Sequence, residues 1–398
     1  MKWINKGHEY DAIARKWSRV KEVYLYGGLN DNGKQIIKLL SFLDLSDAFD
    51  CFIVETNIDK RNSAYRNNVI SLQDMLSRIF SQTMNSYVVV DCTRNASVVN
   101  TLLKHHKFKY EDDVFTIGRF ERVFLPVYMW YAKHKAFCYS AAVHFSTRCN
   151  LRCKDCMVMT PMNHVQKDRT IDSILEDVDV LFSRFDYVYR FGTSGGEPFL
   201  FEEMPEVIDY VRRYSGKLYS FGNTTNSTIA FSEKLAKSMA DFNKESVFYK
   251  YGGGCILTID DYSDFVCTSN PDAIKDKCVE YSINYTVNKY DCWIDTHLFK
   301  DDSLHSEDAK IAYHDMCDNT CWWLYDKKLY TCSIVLSAYN IGSIIDDENN
   351  SINIETCNIP EFIEFQSGFT NKGYFDLCGK CKGYIDINKN FVKAGAQV

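Results

Sequence analysis

The segment Cys149-Asn-Leu-Arg-Cys153-Lys-Asp-Cys156 places three cysteines in one short loop, directly after a predicted strand. Three thiolates from one loop can ligate three irons of a cubane [4Fe–4S] cluster and leave the fourth iron open to another ligand. A closed structural zinc site needs four protein ligands, and the sequence has no fourth ligand nearby. For this segment alone, zinc binding or coincidental buried cysteines is the alternative interpretation.

The residues around this loop alternate between strand and helix patterns. A strand is predicted at Tyr139–Phe145, and the apolar residues from Ile171 to Phe185 follow the 3, 4, 7 spacing of a helix. Further strands and helices alternate after it, which requires a parallel sheet with a site at the carboxyl ends of its strands. These strands are Tyr187–Phe191, Lys217–Phe221, Cys255–Ile259 and Ser282–Val287, and the helices lie near Met204–Tyr214, Glu233–Phe242 and Asp272–Glu280.

The second strand of this series runs into Gly192-Thr-Ser-Gly195-Gly196-Glu197-Pro198. Adjacent glycines allow a ligand to approach the backbone closely, and Glu197 can pair with a cationic ammonium group. Taken alone, the segment is equally typical of an ordinary turn at the end of a strand.

Together, these two segments resemble the radical S-adenosylmethionine family, which has a Cys-x3-Cys-x2-Cys loop after its first strand and Gly-Gly-Glu-Pro after its second. The resemblance covers roughly residues 137–334. It implies a partial (βα)6 TIM barrel and a [4Fe–4S] cluster on Cys149, Cys153 and Cys156. It also implies that S-adenosylmethionine chelates the open iron, with its amino group held by Gly195–Pro198.

The resemblance extends to residues after the third and fourth strands. Asn223-Thr-Thr-Asn226-Ser227 is similar to the Thr-Asn-Gly segment of the family, with Ser227 in place of glycine. Thr258 matches a Ser or Thr that often faces the ribose. Asp155 stands where the family usually has an aromatic residue near the adenine, so adenine packing is expected from another side chain, with Met157 as the candidate.

The C-terminal cysteines resemble the auxiliary-cluster module called twitch, a shortened SPASM domain. The resemblance implies one auxiliary [4Fe–4S] cluster, with Asp326-Lys327 standing where Asp-Gly is usual in its hairpin. The implied ligands are Cys317, Cys332, Cys378 and Cys381, with Cys321 as an alternative to Cys317. A structural zinc ribbon is the competing interpretation.

Cys292 lies just past the last predicted strand–helix unit, where a loop could cover the site. A thiol there could return a hydrogen atom to a substrate radical, as an epimerase requires, so Cys292 is a candidate catalytic residue beside the alternative of plain packing. The other cysteines are expected to be small buried hydrophobic residues: Cys51, Cys92, Cys138, Cys255, Cys267, Cys278 and Cys357.

The first 120 residues also alternate between strands and helices, with strands at Glu22–Tyr26, Cys51–Glu55 and Tyr87–Asp91. Tyr26-Gly27-Gly28-Leu-Asn-Asp-Asn-Gly33 has the position of a phosphate loop, and Glu55 lies where an acid would meet a ribose. The region resembles the Rossmann-like front part of sugar-modifying acyltransferases, which binds a nucleotide-linked sugar. A domain of this fold without a ligand is the alternative.

Length and composition limit the class of protein. The chain has 398 residues, 46% of them hydrophobic, and a net charge of −7, which argues against a general nucleic-acid binder. No apolar run approaches a membrane span and no signal peptide is recognisable, so we expect a cytoplasmic protein. The predicted organisation is a Rossmann-like domain at 1–120, a bridging segment at 121–136, the radical S-adenosylmethionine barrel at 137–312 and a cysteine-rich α+β module at 313–398.

These features predict an α/β radical S-adenosylmethionine oxidoreductase that removes hydrogen from a polar small molecule. A sugar or nucleotide-linked sugar is the leading substrate, changed by dehydrogenation or epimerisation, with flavodoxin or ferredoxin as the external electron donor. The alternatives are a maturase of a ribosomally synthesised peptide and a non-catalytic iron–sulfur redox sensor. Retention of Gly195–Pro198 argues against the sensor, which needs no clamp for methionine.

Overall fold

A computed structural model describes the chain except for residues 56–67, 82–85, 94–99, 101–102, 105–107, 297, 299–300, 305, 318–321 and 385–386. The chain forms two compact units, Gly7–Tyr139 and a larger unit that joins Met1–Lys6 to Ser140–Val398. The finer boundaries at 120, 136 and 312 remain predictions. In the described part of the chain, no helix has the length and apolar character needed to cross a membrane.

The smaller unit is a mixed α/β structure around one parallel sheet. Its strands are β1 (Glu22–Tyr26), β2 (Asp50–Glu55), β3 (Val69–Ser71), β4 (Tyr87–Asp91) and β5 (Val114–Thr116), and its first helices are α1 (Asp11–Trp17), α2 (Asp31–Phe42) and α3 (Leu72–Ser81). The strand order is β3-β2-β1-β4-β5, and every pair is parallel. The predicted strands are confirmed to within a residue. The sequence also predicts a helix at Ala96–His105, which lies largely outside the described residues.

The bridging segment at 121–136, whose aromatic and apolar residues predict a helix, is helical through Lys133. A π-helical turn at Phe120–Phe124 leads directly into α4 (Leu125–Lys133). The Phe120 and Phe124 rings stack with their centroids 5.0 Å apart, and both side chains are fully buried. His134, at a φ of +54°, ends the helix.

The larger unit is built on an eight-stranded sheet. Its strands are β6 (Phe137–Ser146), β7 (Tyr187–Gly195), β8 (Leu218–Thr225), β9 (Gly254–Asp261), β10 (Asn284–Lys289), β12 (Trp323–Tyr325), β13 (Lys328–Tyr330) and β14 (Ile352–Asn353), in the order β10-β9-β8-β7-β6-β12-β13-β14. Strands β7 to β10 pair in parallel with their chain neighbours. The next strand, β11 (Cys292–Ile294), pairs with β15 (Phe391–Lys393) instead of β10. In the described residues, strands β6 to β9 are each followed by a helix and β10 leads directly to β11. The (βα)6 barrel remains a prediction.

Helices cover one face of this sheet. They are α5 (Ile171–Arg184), α6 (Met204–Val211), α7 (Glu233–Glu245) and α8 (Pro271–Glu280). The cysteine-rich part adds α9 (Glu307–Met316), α10 (Ser333–Asn340) and α11 (Ile359–Gln366). Phe182 of α5 packs edge-on against Phe191 of β7 at 5.3 Å, and Phe221 of β8 stacks on Phe242 of α7 at 5.9 Å. This packing fixes the helix-facing side and leaves the loops after the strands together at one edge.

The hairpin of the cysteine-rich region joins the same sheet, because β12 pairs with β6 in parallel. Its turn residues Asp326 and Lys327 both have positive φ, +48° and +60°, as the type I′ turn of a two-residue hairpin requires. The buried Asp177 carboxylate accepts their backbone N–H groups at 3.1 and 2.6 Å and pairs with Arg169 at 2.8 Å. These contacts hold the hairpin in a turn that usually has glycine in place of Lys327.

Candidate functional site

The cysteine loop follows the end of β6, and its three thiols lie near enough to interact electrostatically. Cys149, Cys153 and Cys156 pack in an apolar cluster, whose other members are Leu151, Tyr262, Phe265, Val266 and Trp293. Burial raises the pKa of Cys149 to about 12 and that of Cys153 to about 11. Without a cation the Cys149 and Cys153 thiols are therefore protonated at neutral pH, and metal binding must release their protons.

Hydrogen-bond donors reach the sulfurs. Asn226 directs its side-chain amide to Cys149 Sγ at 3.7 Å, and the Leu151 N–H reaches the same atom at 3.5 Å. Cys156 Sγ lies 3.6 Å from Thr160 Oγ1. Three thiols from one loop with nearby donors suit a cluster ligated at three irons, because such donors stabilise thiolate sulfur.

Gly195, which ends β7, and Gly196, which follows it, lie directly on the start of the cysteine loop. Gly196 donates its N–H to the Ser146 carbonyl, and Glu197 donates its own to the Arg148 carbonyl, both at 2.9 Å. A Cβ on Gly195 would lie 2.2 Å from Ser146 O, and one on Gly196 would lie 1.6 Å from Arg148 O. Both glycines are thus required by the approach of two backbone segments, a reason that differs from the ligand approach expected from sequence.

The Glu197 carboxylate joins the end of β8 to the turn that follows β7. It is 2% exposed and accepts hydrogen bonds from Thr225 Oγ1 at 2.8 Å, Asn226 N at 2.8 Å and Phe199 N at 3.2 Å. Burial, opposed by these hydrogen bonds, raises its pKa to about 7. The structure gives Glu197 protein partners, and its pairing with a ligand ammonium remains a prediction.

Ser227 follows the same strand end. Its φ is +57°, in the left-handed region that favours glycine, which explains why glycine is usual at this position of the similar family segment. Its buried hydroxyl donates to the Asp260 carbonyl at 2.8 Å and lies 2.7 Å from Ser269 Oγ. The hydroxyl therefore connects β8 to β9, and its contact with a cofactor remains a prediction.

Thr258 lies on β9, on the sheet face opposite the packed helices. It is in register with Thr224 of β8 and Thr286 of β10, and the Thr258 and Thr286 hydroxyl oxygens are 3.5 Å apart. Thr224 and Thr286 are exposed and Thr258 is half-buried. The structure therefore places Thr258 in a row of hydroxyls on an accessible face.

The two residues considered for the adenine lie on either side of the third cysteine. Asp155 is 8% exposed, and Met157 is half-buried. Ser333 donates its hydroxyl to Met157 Sδ at 3.0 Å. Adenine packing on Met157 remains a prediction.

The C-terminal cysteines also lie together. Cys317, Cys332, Cys378 and Cys381 interact electrostatically with one another. Burial raises the pKa of Cys381 to about 11 and moves those of Cys332 and Cys378 upward as well. Cys321, the alternative ligand, lies outside the described residues.

These four thiols come from three segments of the chain, because Cys378 and Cys381 are only three residues apart. Cys317 ends α9, Cys332 precedes the first turn of α10, and Cys381 Sγ accepts the Gly383 N–H at 3.2 Å. In the described segments, no three His, Cys, Asp or Glu side chains are grouped to hold a single metal ion. A cubane cluster needs its cysteine ligands farther apart than a single metal ion does, because each cysteine binds a separate iron.

Cys292 is exposed at the start of β11, where it pairs with Lys393. Its neighbour Trp293 packs against the cysteine-loop cluster, and successive strand residues point to opposite sides. Cys292 is not among the residues packed in that cluster, and its catalytic role remains a prediction. Among the other cysteines, the expectation of burial is wrong for Cys267, which is exposed in the turn-rich segment after β9, and Cys51 is only half-buried.

In the loop after β1 of the smaller unit, the backbone of the loop itself requires the glycines. Gly27 has a φ of +67°, and a Cβ on Gly33 would lie 2.0 Å from the Gly28 carbonyl oxygen. The Glu55 carboxylate accepts the Leu29 N–H at 3.1 Å. These contacts organise the loop without a ligand, and nucleotide binding there remains a prediction.

Gln397 is a contact of the cysteine loop that sequence reasoning missed. Its side-chain amide donates to Cys153 Sγ at 3.1 Å, although 244 positions separate the two residues. No spacing signal in the sequence links residues so far apart.

Comparisons with known proteins gave structural similarities alone, since no family model and no curated protein matches the chain. The crystal structure of anSMEcpe with bound AdoMet and Cp18Cys peptide is 13% identical, with 61% of this chain and 84% of that chain covered and a TM-score of 0.40. BtrN in complex with AdoMet and 2-DOIA is 13% identical, with 66% and 98% covered and a TM-score of 0.37. At these TM-scores the likeness carries no argument of its own.

The resemblance to a known family rests on the sequence segments and their geometry. The cysteine loop after β6, the Gly-Gly-Glu-Pro segment after β7 and the Asn226 turn after β8 are joined by direct hydrogen bonds at one edge of a parallel sheet. In these segments, their order and their junction, the chain resembles the radical S-adenosylmethionine iron–sulfur enzymes.

Proposed function

We propose that this enzyme oxidises a polar small molecule, with Cys149, Cys153 and Cys156 holding a [4Fe–4S] cluster that binds S-adenosylmethionine. The observation that carries the proposal is the hydrogen-bonded junction of the cysteine loop with Glu197 and Asn226. When bound, the cluster and S-adenosylmethionine supply a 5′-deoxyadenosyl radical that removes a hydrogen atom from the substrate.

The protein's part is to hold and orient these groups. Gly195–Pro198 would hold the methionine amino group, since this segment lies directly beside the cysteine loop. Glu197 supports it by fixing the ends of β7 and β8, and Asn226 contributes a donor to Cys149. The Tyr262 and Trp293 rings, 5.7 Å apart, help to shield the loop from water.

The accessible sheet face supports a polar substrate. We infer that strands β6 to β10 form the wall of a partial barrel, with the Thr224, Thr258 and Thr286 row on its inner side. Arg190 of β7 is exposed on the same face, in register with Ser220 of β8. Hydroxyls and a guanidinium suit the oxygen atoms of a sugar or of a phosphate attached to one.

The C-terminal thiols support an oxidation. Removal of a hydrogen atom leaves a substrate radical that must lose one proton and one electron to become a closed-shell product. An auxiliary [4Fe–4S] cluster on Cys317, Cys332, Cys378 and Cys381 would have no open iron and could accept that electron. Because Cys292 is exposed and outside the apolar cluster, the placement favours oxidation over an epimerisation that needs a hydrogen donor.

A small molecule is preferred over a peptide because of the smaller unit. Its five-stranded parallel sheet, in the order β3-β2-β1-β4-β5, supports a Rossmann-like domain and not a winged helix. We infer a nucleotide-linked sugar as the leading substrate class. Flavodoxin or ferredoxin would supply the electron for each turnover.

The substrate assignment is tested by product analysis. The anaerobically reconstituted full chain is incubated with S-adenosylmethionine, reductant and a panel of nucleotide sugars, and products are separated by mass. A product lighter by two hydrogens supports the proposal. Turnover of S-adenosylmethionine stimulated by a peptide, with every nucleotide sugar unchanged, would contradict it.

A further inference from the structure

The segment Gly395–Val398 runs antiparallel to the cysteine loop and pairs with it through one β-bridge. Lys154 donates its N–H to the Ala396 carbonyl at 2.7 Å, and Val398 donates its own to the Arg152 carbonyl at 3.0 Å. Cys153 and Gln397 face each other as an antiparallel bridge. The middle cysteine of the loop is therefore paired through its backbone as well as through its side chain.

Both the oxygen and the nitrogen of the Gln397 side-chain amide are hydrogen-bonded. Its oxygen accepts the Arg152 N–H at 2.7 Å, and its nitrogen donates to Cys153 Sγ at 3.1 Å and to the Gly395 carbonyl at 2.7 Å. This arrangement defines which atom faces the sulfur, because a reversed amide would place an acceptor against the Gly395 carbonyl. The contact with sulfur is therefore an N–H donor.

The segment is itself held in place. Gly395 has a φ of +66°, which suits the bend after β15, and the preceding Ala394 is fully buried. Strand β15 pairs with β11, whose Trp293 packs in the same cluster as the cysteine loop. Gln397 thus approaches Cys153 from a fixed backbone.

We propose that Gln397 is a positioning residue that hydrogen-bonds the cluster through Cys153 and sets its reduction potential. A donor to a cysteine sulfur stabilises the reduced cluster, which carries one more negative charge, and so raises the reduction potential. The paired segment also covers this ligand from water. The inference rests on the proposed cluster at Cys149, Cys153 and Cys156.

The test compares two substitutions of the full chain with a matched control. Gln397→Glu keeps the acceptor for Arg152 N but replaces the donor with a carboxylate, and Gln397→Ala removes both contacts. Gln73→Glu makes the same chemical change at an exposed position of α3 in the smaller unit. Iron content and circular dichroism of each reconstituted protein establish that it is loaded and folded.

The measurement is a redox titration followed by electron paramagnetic resonance, read on the signal that changes when S-adenosylmethionine is added. We expect a lower midpoint potential in Gln397→Ala, a still lower one in Gln397→Glu, and no shift in Gln73→Glu. An unchanged potential in Gln397→Glu, with iron content equal to that of the parent protein, would overturn this inference alone. A parent protein with no signal responsive to S-adenosylmethionine would overturn the proposed function and this inference with it.

Discussion

The backbone N–H of Asn226 donates a 2.8 Å hydrogen bond to the carboxylate of Glu197, which joins the ends of β7 and β8. The Asn226 side chain then reaches Cys149 Sγ at 3.7 Å and Asn150 Oδ1 at 3.0 Å. Three sequence segments of the site thus meet through one asparagine. The Glu197 carboxylate is the buried acceptor on which this junction depends.

The raised pKa of Glu197 predicts that the stability of the protein depends on pH. Burial raises this pKa to about 7 in the folded chain, above the ordinary value of 4.5, so the folded state binds this proton more tightly than the unfolded state. The stabilisation from that proton is present below the ordinary pKa and is lost as pH rises through 7. We expect the free energy of unfolding of the apo-protein to fall by roughly 2–4 kcal/mol from this group between pH 4.5 and 7.5.

Denaturant unfolding of the parent chain and of Glu197→Gln at several pH values measures this contribution. The glutamine variant should lack it, so the difference between the two proteins should change across that interval. A constant difference would show that Glu197 does not titrate as the buried site requires.

A side chain at position 196 is expected to clash with the cysteine loop. In Gly196→Ala the new methyl group would lie 1.6 Å from the Arg148 carbonyl oxygen, so the cysteine loop must move away from the end of β7. We expect loss of most S-adenosylmethionine binding and about 2 kcal/mol or more of stability. Gly216→Ala is the matched control, since a Cβ there meets nothing within 4 Å. Equal ligand binding by both variants would contradict the described junction.

Replacing Lys327 with glycine is expected to stabilise the protein. The φ of Lys327 is +60°, and glycine adopts this conformation without the cost of a Cβ. After loss of the exposed ion pair with Glu355, Lys327→Gly should still gain roughly 0.5–1 kcal/mol, visible as a higher Tm. The neighbouring Lys328→Gly, within β13, should lower the Tm instead. A lower Tm for both variants would argue against the type I′ turn.

The C-terminal thiols predict the number of clusters and their role. Cys378→Ala with Cys381→Ala should lower iron from about eight to about four atoms per chain. This double variant should form no product while it still forms some 5′-deoxyadenosine, because the substrate radical can no longer pass its electron to the auxiliary cluster. Exposed Cys267→Ala should change neither readout. One zinc beside four irons in the parent protein would identify a zinc ribbon instead.

Cys292 separates oxidation from epimerisation. Because its side chain is exposed, Cys292→Ala should keep product formation within about twofold of the parent enzyme. Product made in deuterated water should carry no new C–D bond at the attacked carbon. A stalled variant together with one such bond, at unchanged oxidation level, would assign epimerisation.

Local patterns in the sequence predicted the strands and helices well, because apolar periodicity and strand-end turns act over short distances. The order of the cysteine loop and the Gly-Gly-Glu-Pro segment also predicted which strand ends would meet. The reason for Gly195 and Gly196 could not be read from the sequence, since the backbone that excludes their side chains belongs to Ser146 and Arg148.

Contacts between distant segments were beyond sequence reasoning. The pairing of β12 with β6 depends on residues some 180 positions apart, and the Asp177 carboxylate compensates a turn about 150 positions away. The contact between Gln397 and Cys153 is of the same kind. Each arises when the folded sheet brings segments together, and none leaves a local signal.

The central claim is that Cys149, Cys153 and Cys156 support cleavage of S-adenosylmethionine. The most direct measurement is 5′-deoxyadenosine formed under reducing, anaerobic conditions by the parent chain, by Cys153→Ala and by the exposed-cysteine control Cys267→Ala. We predict formation by the parent and the control and none by Cys153→Ala. Continued formation by Cys153→Ala, at the rate of the control, would contradict the account.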